Sequence, residues 1–482
     1  MSDKFPVEVV FQGEPFDRKA VIHTLRHLAM RVGWTLRPKA DKKLIYATTG
    51  NPHGIRIRGN DLIILSSEAV RKHMTESRAP VPLLKTHPRK LPFYHAGSTA
   101  EYRPGWISSD VVAGAHSVLN LAYERRSRPS RKDGWILFRD DWWGKAGFED
   151  PEPLADVWLD HIAAEAEKIG WPVAKVPEDK GLVSAGATII LTHDVDYLPT
   201  PANRGLSRFL RAIIRQLLVR GSIIDACQVI KHYSRNIFQA TPYNGLGAIT
   251  SKEISEKVIS SFQFTVRKRH RFDPAYDLQE SFSGSTLNEL TGKGFEICLH
   301  GSYTAGRSSG QLSVEKAELE RILGHEVLGH RQHYLNFHPA TFFPEIEKAG
   351  LHYDMSVGYN DRSGPRAGTL FPYRPYDMES GKPLSLWEIP FILMDTTLAT
   401  TYRYSSEQAF RHCMDHIGGV EKARGCVSII WHQEQLGGPL DPGFDDLYWL
   451  ILQELRNRKI RMTSGKNILQ EIDNLWNRTI EE

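Results

Sequence analysis

The chain has 482 residues, too many for one ordinary core, so two domains are expected. With 41% hydrophobic and 24% charged residues the composition is globular, and 61 basic against 57 acidic side chains leave a net charge of +4, which gives no bulk field for nucleic acid. The four cysteines, Cys227, Cys298, Cys413 and Cys426, form no CxxC pair, which argues against a cysteine-based zinc site and against a disulfide framework.

The first segment, "MSDKFPVEVVFQGEPF", lacks the basic and apolar regions of a signal peptide. No apolar run approaches the ~20 residues of a membrane helix, so a cytoplasmic protein without a transmembrane segment is expected. "PVEVVFQG", "KLIYATT", "IRIRG" and "DLIILSS" read as strands by length and β-branched content. "RKAVIHTLRHLAMRVG" reads as a helix ending at Gly33, and "SDVVAGAHSVLNLAYERR" as a second with Ser109 as N-cap. A loop rich in Trp and Pro follows. In it Asp140, Asp141, Trp142 and Trp143 could stack on a sugar, although a packed loop is the preferred reading. A third helix is expected over "LADVWLDHIAAEAEKIG". Clustered Gly, Pro and charge near 176–187 mark a boundary, dividing an N-terminal α/β domain of unknown role, 1–185, from a second domain, 186–482.

The second domain opens on "TIILTHDVD" and continues into a basic, amphipathic stretch at about 203–240, read as an inserted helical lid in preference to a membrane-surface helix. Beyond it, short strands alternate with helices: "ISSFQFTV", "KGFEICLHG", "LNFHPATFFP", "LHYDMSVGY", "LWEIPFILM" and "CVSIIWHQ". Such alternation implies a parallel sheet, open or barrel-like, whose reactive groups gather at the C-terminal strand ends.

Those ends are unusually polar. One carries His193, Asp194 and Asp196, another His300 and Tyr303, a third His432, and "GHRQHYLNF" supplies an Arg-His segment. Asp and His can hold a divalent ion with an open position for water. A second carboxylate can act as base and a facing histidine as acid, so the pattern suits metal-assisted hydrolysis. Three look-alikes are set aside. "HEVLGH" has one residue too many for HExxH, "HCMDH" lacks a third ligand, and "GPLDPGFDD" lacks EF-hand spacing.

In this order and context, "LTHDVD", "LHGSY", "HRQHYLNF", "GYNDRSGPRAGTLFPYRPYD" and "WEIPFILMD" resemble the NodB-type polysaccharide deacetylases, most narrowly the deacetylase-like proteins of bacterial O-antigen and capsule gene clusters. The resemblance runs from about Thr188 to the C-terminus. It implies an α/β fold, a distorted (β/α) barrel of NodB type, and removal of N- or O-acetyl groups from a sugar or polysaccharide precursor with a divalent metal, commonly zinc. It implies Asp194 as general base, Asp196 and His300 as metal ligands, Arg331 as the group orienting the base, Tyr334 as an oxyanion-hole contributor through its backbone N–H, and His432 as general acid. The family's second motif histidine falls at Thr304, a poor zinc ligand, and its third-motif proline at His333. Either His333 supplies the missing ligand from another strand, or the metal is held weakly or is absent.

Tyr303, Arg366, Tyr373 and Asp377 are expected at the substrate. The last three lie with Arg362 and Arg374 in a loop suited to an anionic or sugar ligand, with a structural role equally open. A non-catalytic carbohydrate-binding or scaffold protein of polysaccharide assembly is the alternative, and an amidase acting on another substrate a third reading.

Overall fold

The computed structural model describes residues 5–48 except 14, then 61–66, 104–126, 136–173 and 186–198, scattered positions between 210 and 230, and 245–436 except 282 and 283, and 443–481. The expected strand "IRIRG", most of the boundary near 176–187 and most of the segment at 203–240 lie outside the described residues.

A five-stranded parallel sheet comes first, from β1 (Phe5–Gln12), β2 (Trp34–Leu36), β3 (Lys42–Thr48), β4 (Leu62–Ser66) and β5 (Trp106–Ile107), in the order β2-β1-β3-β4-β5. The helix after β1 spans Arg18–Val32. Asp17 caps it by accepting the N–H groups of Lys19 at 2.8 Å and Ala20 at 3.2 Å, and Gly33 ends it at φ 74°. The second expected helix needs two corrections. Asp110, not Ser109, is the N-cap, accepting Ala113 N–H at 2.9 Å. The helix also stops at Leu119, because Leu121 turns to φ 50°, and a short helix restarts at Ala122.

The larger sheet is built from β6 (Thr188–Val195), β7 (Ser261–Phe264), β8 (Glu296–Gly301), β9 (Gly329–Gln332) and β10 (Tyr353–Asp354). A small antiparallel pair, β11 (Tyr376–Asp377) and β12 (Lys382–Pro383), interrupts the series. Then come β13 (Trp387–Glu388), β14 (Phe391–Met394), β15 (Cys426–Ile430) and β16 (Arg461–Thr463). Its order is β13-β10-β9-β8-β7-β6-β15-β14, parallel throughout, with β16 beside the first half of β6. The two edge strands are one stretch of chain. Ile389 N–H donates to Asp354 O on one side, and Pro390 O accepts Ser428 N–H on the other, both at 2.9 Å. The sheet therefore curls round until "WEIPFILM" closes it, with Pro390, which has no N–H to lose, at the changeover. This is the distorted α/β barrel that the motif resemblance implies, where the strand pattern alone leaves the sheet open or barrel-like.

One expected strand is absent. "LNFHPATFFP" forms a tight turn and then a helix, Pro339–Lys348, because Pro339 fits the first helical turn and His338 Nδ1 accepts Ala340 N–H at 3.3 Å.

The lower barrel is apolar. Ile190 and Cys298, on the strand faces that also carry Asp194 and His300, pack with Tyr353, Met355 and Cys426 against Ile468, Ile472 and Trp476 of the C-terminal helix Lys466–Asn477. A second cluster joins residues of both sheets, from Val7 and Leu28 through Trp158 to Leu191 and Ile460. Polar contacts follow the same seam. Ala155 N–H donates to Gly368 O at 2.9 Å, Leu370 N–H to Asp156 at 2.7 Å, and Leu36 pairs with Ile480. No helix among the described residues is long and apolar enough to cross a membrane.

Candidate metal centre

The apolar strand β6 ends in acids because its tip reaches the mouth of the barrel. Alternation sends His193 outward, where Nδ1 meets Trp431 O at 2.8 Å and Nε2 meets Glu253 at 3.1 Å, so this histidine is structural. Asp194 and Asp196 turn inward together. Burial alone would raise the Asp194 carboxyl, but Arg331, then His300 and His432, hold it below the usual carboxylate range. Asp196 lies further below, with His333 and His300 outweighing its burial.

Asp196, His300 and His333 form a ligand-type cluster, their donor atoms all within 4.8 Å of one another. Asp196 Oδ1 stands 3.5 Å from His300 Nε2 and 3.6 Å from His333 Nε2. These separations are long for hydrogen bonds, and both Asp196 Oδ1 and His300 Nε2 are buried without a hydrogen-bond partner. They suit ligands around one ion, since two donors each ~2.1 Å from a tetrahedral zinc lie about 3.4 Å apart. The outer contacts agree. His300 Nδ1 is 3.0 Å from Arg331 O, which places its proton there and leaves Nε2 as the lone-pair nitrogen. His333 Nδ1 is 3.5 Å from Asp273, whose carboxylate accepts the N–H groups of Tyr303 at 2.6 Å, Arg269 at 2.9 Å and His270 at 2.6 Å. Burial would lower His333, yet Asp196 and Asp273 raise it to about 9. A divalent cation would take the place of that proton. The donor set fits a divalent metal.

Arg331 is fully buried. Its Nη1 donates to Asp194 Oδ1 at 2.7 Å and to Thr192 Oγ1 at 2.8 Å, and its Nε to Met355 O at 2.9 Å. Tyr334 and Leu335 follow β9 at φ 56° and 52°, two successive non-glycine residues in the left-handed region, a costly backbone held at the site. Asn360 secures the turn by donating to Tyr334 O at 2.8 Å, and Asn336 by donating to Tyr303 O at 2.8 Å.

His432 closes the opposite side, its Nε2 3.9 Å from Asp196 Oδ2. Asp395 fixes the ring, meeting Nδ1 at 2.6 Å and the His432 N–H at 2.9 Å. Burial would lower this histidine, but Asp395, helped by Asp194 and Asp196, raises it to about 10.

The other candidates are placed elsewhere. Thr304 turns its hydroxyl to Gln311 at 3.3 Å, away from the cluster. His330 faces outward to Asp354 at 2.6 Å and lies beside Phe342, ring centroids 5.8 Å apart. Tyr303 is buried, its ring stacked on His270 with centroids 4.7 Å apart. Arg366 is buried against Glu124 of the first sheet's layer, Tyr373 is buried behind β13, and Asp377 caps the β11–β12 turn by accepting Glu379 N–H at 3.0 Å. None of these three points into the cluster; long buried side chains in that loop join the two layers instead. Arg362 sits over Phe138 and Tyr402, and Arg374 bonds Asp473 at 2.7 Å. Trp142 and Trp143 are buried, as a packed loop requires. His412 and His416 face each other, Nε2 to Nε2 at 3.1 Å, with no third ligand among the described residues.

Two participants escaped the sequence reading. Asp395 ends the strand "PFILMD", a polar strand tip like the others, and that position was its available signal. Asp273, in a loop at "RFDP", gave none, since only the fold brings it to His333.

No family model matches the chain, and no curated protein matches it. Solved structures overlap it loosely. A protein from Mycobacterium smegmatis with a provisional polysaccharide deacetylase assignment shares 14% identity over 60% of this chain and 91% of its own, at a TM-score of 0.38. A family 4 carbohydrate esterase from Bacillus anthracis shares 12% over 59% of this chain and 84% of its own, at 0.28. BA3943, a CE4 family pseudoenzyme from the same organism, shares 9% over 59% and 66%, at 0.29. Likeness at this level carries no function across.

Proposed function

We propose that the protein is a metal-dependent hydrolase that removes an N- or O-linked acetyl group from a sugar of a bacterial surface polysaccharide or its precursor, working in the cytoplasm with zinc. One observation carries the reading. Four separate strand ends bring a carboxylate pair and three histidines, His300, His333 and His432, to one mouth. The choice of an acetylated sugar rests on the motif resemblance.

Asp196, His300 and His333 would hold the cation. When bound, it supplies a Lewis acid that polarises the acyl carbonyl and acidifies water. Asp194, ionised and oriented by Arg331, takes the proton of the attacking water. The Tyr334 N–H, on its left-handed turn, is suited to receive developing charge on the carbonyl oxygen. His432, kept protonated by Asp395, gives its proton to the departing amine or alkoxide.

The test pairs elemental analysis with acetate release from acetylated saccharides. Stoichiometric metal with acetate release, and at least a ~100-fold loss in Asp194→Asn with metal retained, is expected. Metal-free protein that binds saccharides without releasing acetate would establish the scaffold reading instead.

A further inference from the structure

The loop after β7 carries four cations within five residues, Arg267, Lys268, Arg269 and Arg271, and reaches the candidate metal centre through Asp273 behind His333 and Phe272 beside Tyr334. A bridge between Arg267 and Asp277 pinches its base. Two of the cations are spent within the protein. Arg267 pairs with Glu318 at 3.2 Å, and Arg269 with Glu318 at 2.7 Å and Glu315 at 3.2 Å. Lys268 and Arg271 are exposed and form no ion pair with any described residue.

Phe272 of the same loop and Tyr334 of the turn after β9 form an exposed aromatic surface continuous with the cluster. Phe272 and Tyr334 are 37% and 39% exposed, two large rings open to solvent beside the cluster. Their centroids lie 5.9 Å apart, Tyr334 lies 4.6 Å from the His333 ring, and the Arg271 guanidinium sits 4.6 Å above Phe272. A path of contacts therefore runs from the ligand His333 through Tyr334 and Phe272 to Arg271. Aromatic faces of this kind take the apolar face of a pyranose ring, and a cation beyond them takes an anion.

We infer that the saccharide carries an anionic group, a phosphate ester or a ring carboxylate, next to the acetylated sugar, with Phe272 and Tyr334 packing on the sugar and Lys268 and Arg271 receiving the anion. This rests on the saccharide reading above and adds the charge of the substrate. Neither cation belongs to the catalytic or metal-holding set, and their exposure means a charge reversal leaves the core untouched.

The experiment measures dissociation constants of the full, zinc-loaded chain, at low and at physiological salt, for three probes. A neutral N-acetylglucosamine tetramer is the reference, UDP-N-acetylglucosamine is the phosphate arm, and a hyaluronan tetrasaccharide is the carboxylate arm. At least one anionic probe should bind tenfold or more tighter than the neutral one at low salt. That advantage should shrink with salt and vanish in Lys268→Glu/Arg271→Glu. Phe272→Ala should weaken all bound probes alike. Whichever anionic arm shows the advantage names the source of the charge. If no anionic probe exceeds the neutral one, or the double reversal changes nothing, the inference is overturned, even where acetate release from the tetramer upholds the hydrolase. A salt-sensitive advantage lost on reversal, with no acetate released from any probe, upholds the anion site independently of the hydrolase reading.

Discussion

Arg331 and Asp194, both buried, meet at 2.7 Å, and the backbone carbonyl of the same arginine receives His300 Nδ1 at 3.0 Å. One residue of β9 thus sets the charge of the proposed base and the tautomer of a proposed ligand. The guanidinium compensates a carboxylate that burial would otherwise neutralise.

Replacing Arg331 with Met should therefore raise the Asp194 pKa. A base works when deprotonated, so its rate limb is lost as pH falls through that pKa. In the native protein this limb lies below the usual carboxylate range, and in Arg331→Met it should move to higher pH, with a rate loss on the order of a hundredfold at neutral pH. A pH–rate profile whose acidic limb stays put would remove Asp194 from the role of base.

His333 and Thr304 make opposite predictions about the metal. His333→Ala should strip most of the ion on dialysis, whereas Thr304→Ala should retain it, since that hydroxyl faces Gln311. Asp273→Asn removes the carboxylate behind His333 and should weaken metal affinity by roughly 10–100-fold. Competition with a chromogenic chelator reads all three, and equal affinity in His333→Ala and native protein would leave only two strong ligands.

Asp395→Asn should lower the rate and shift its basic limb. An acid must be protonated, so activity falls as pH rises through the His432 pKa. Asp395 is the largest of the groups raising that pKa to about 10, and a cation bound nearby opposes it. In Asp395→Asn the limb should move toward the ordinary histidine value of about 6.5. An unchanged limb would mean that another group delivers the proton.

Stability should fall in acid because three histidines are buried neutral where the first helix meets the second layer. Burial lowers His23 to about 4 and His116 to about 3, and lowers His27 as well. Their folded pKa values are depressed, so the stability they contribute is complete above about 6.5 and is lost as pH falls through the window down to the folded values. Each adds up to about 1.4 kcal/mol per pH unit to the slope within its window. Urea midpoints between pH 7 and 4 measure this. His116→Gln should flatten the curve, and an identical slope would show that this histidine is protonated in the folded protein.

The sequence by itself determined a parallel α/β sheet, because β-branched runs alternating with amphipathic stretches leave few other ways to bury both faces of a sheet, but that pattern left the sheet open or barrel-like and only the motif resemblance implied the distorted barrel. It also determined that polar groups collect at one mouth, since Asp194, Asp196, His300 and His432 each end an apolar strand. Tertiary structure decided what depends on distance across the barrel. His330, within β9, reaches Asp354, whereas His333, three residues on where the turn begins, reaches Asp196. Asp395 and Asp273 reach their histidines from segments 37 and 60 residues away, a relation no local pattern encodes. Arg366, Tyr373 and Asp377 look like ligand-binding groups in the sequence, because a polar loop reads alike whether its charges face a ligand or a second layer of the same chain. Only packing shows Arg366 committed to Glu124, where leaving either charge unpaired would cost several kcal/mol.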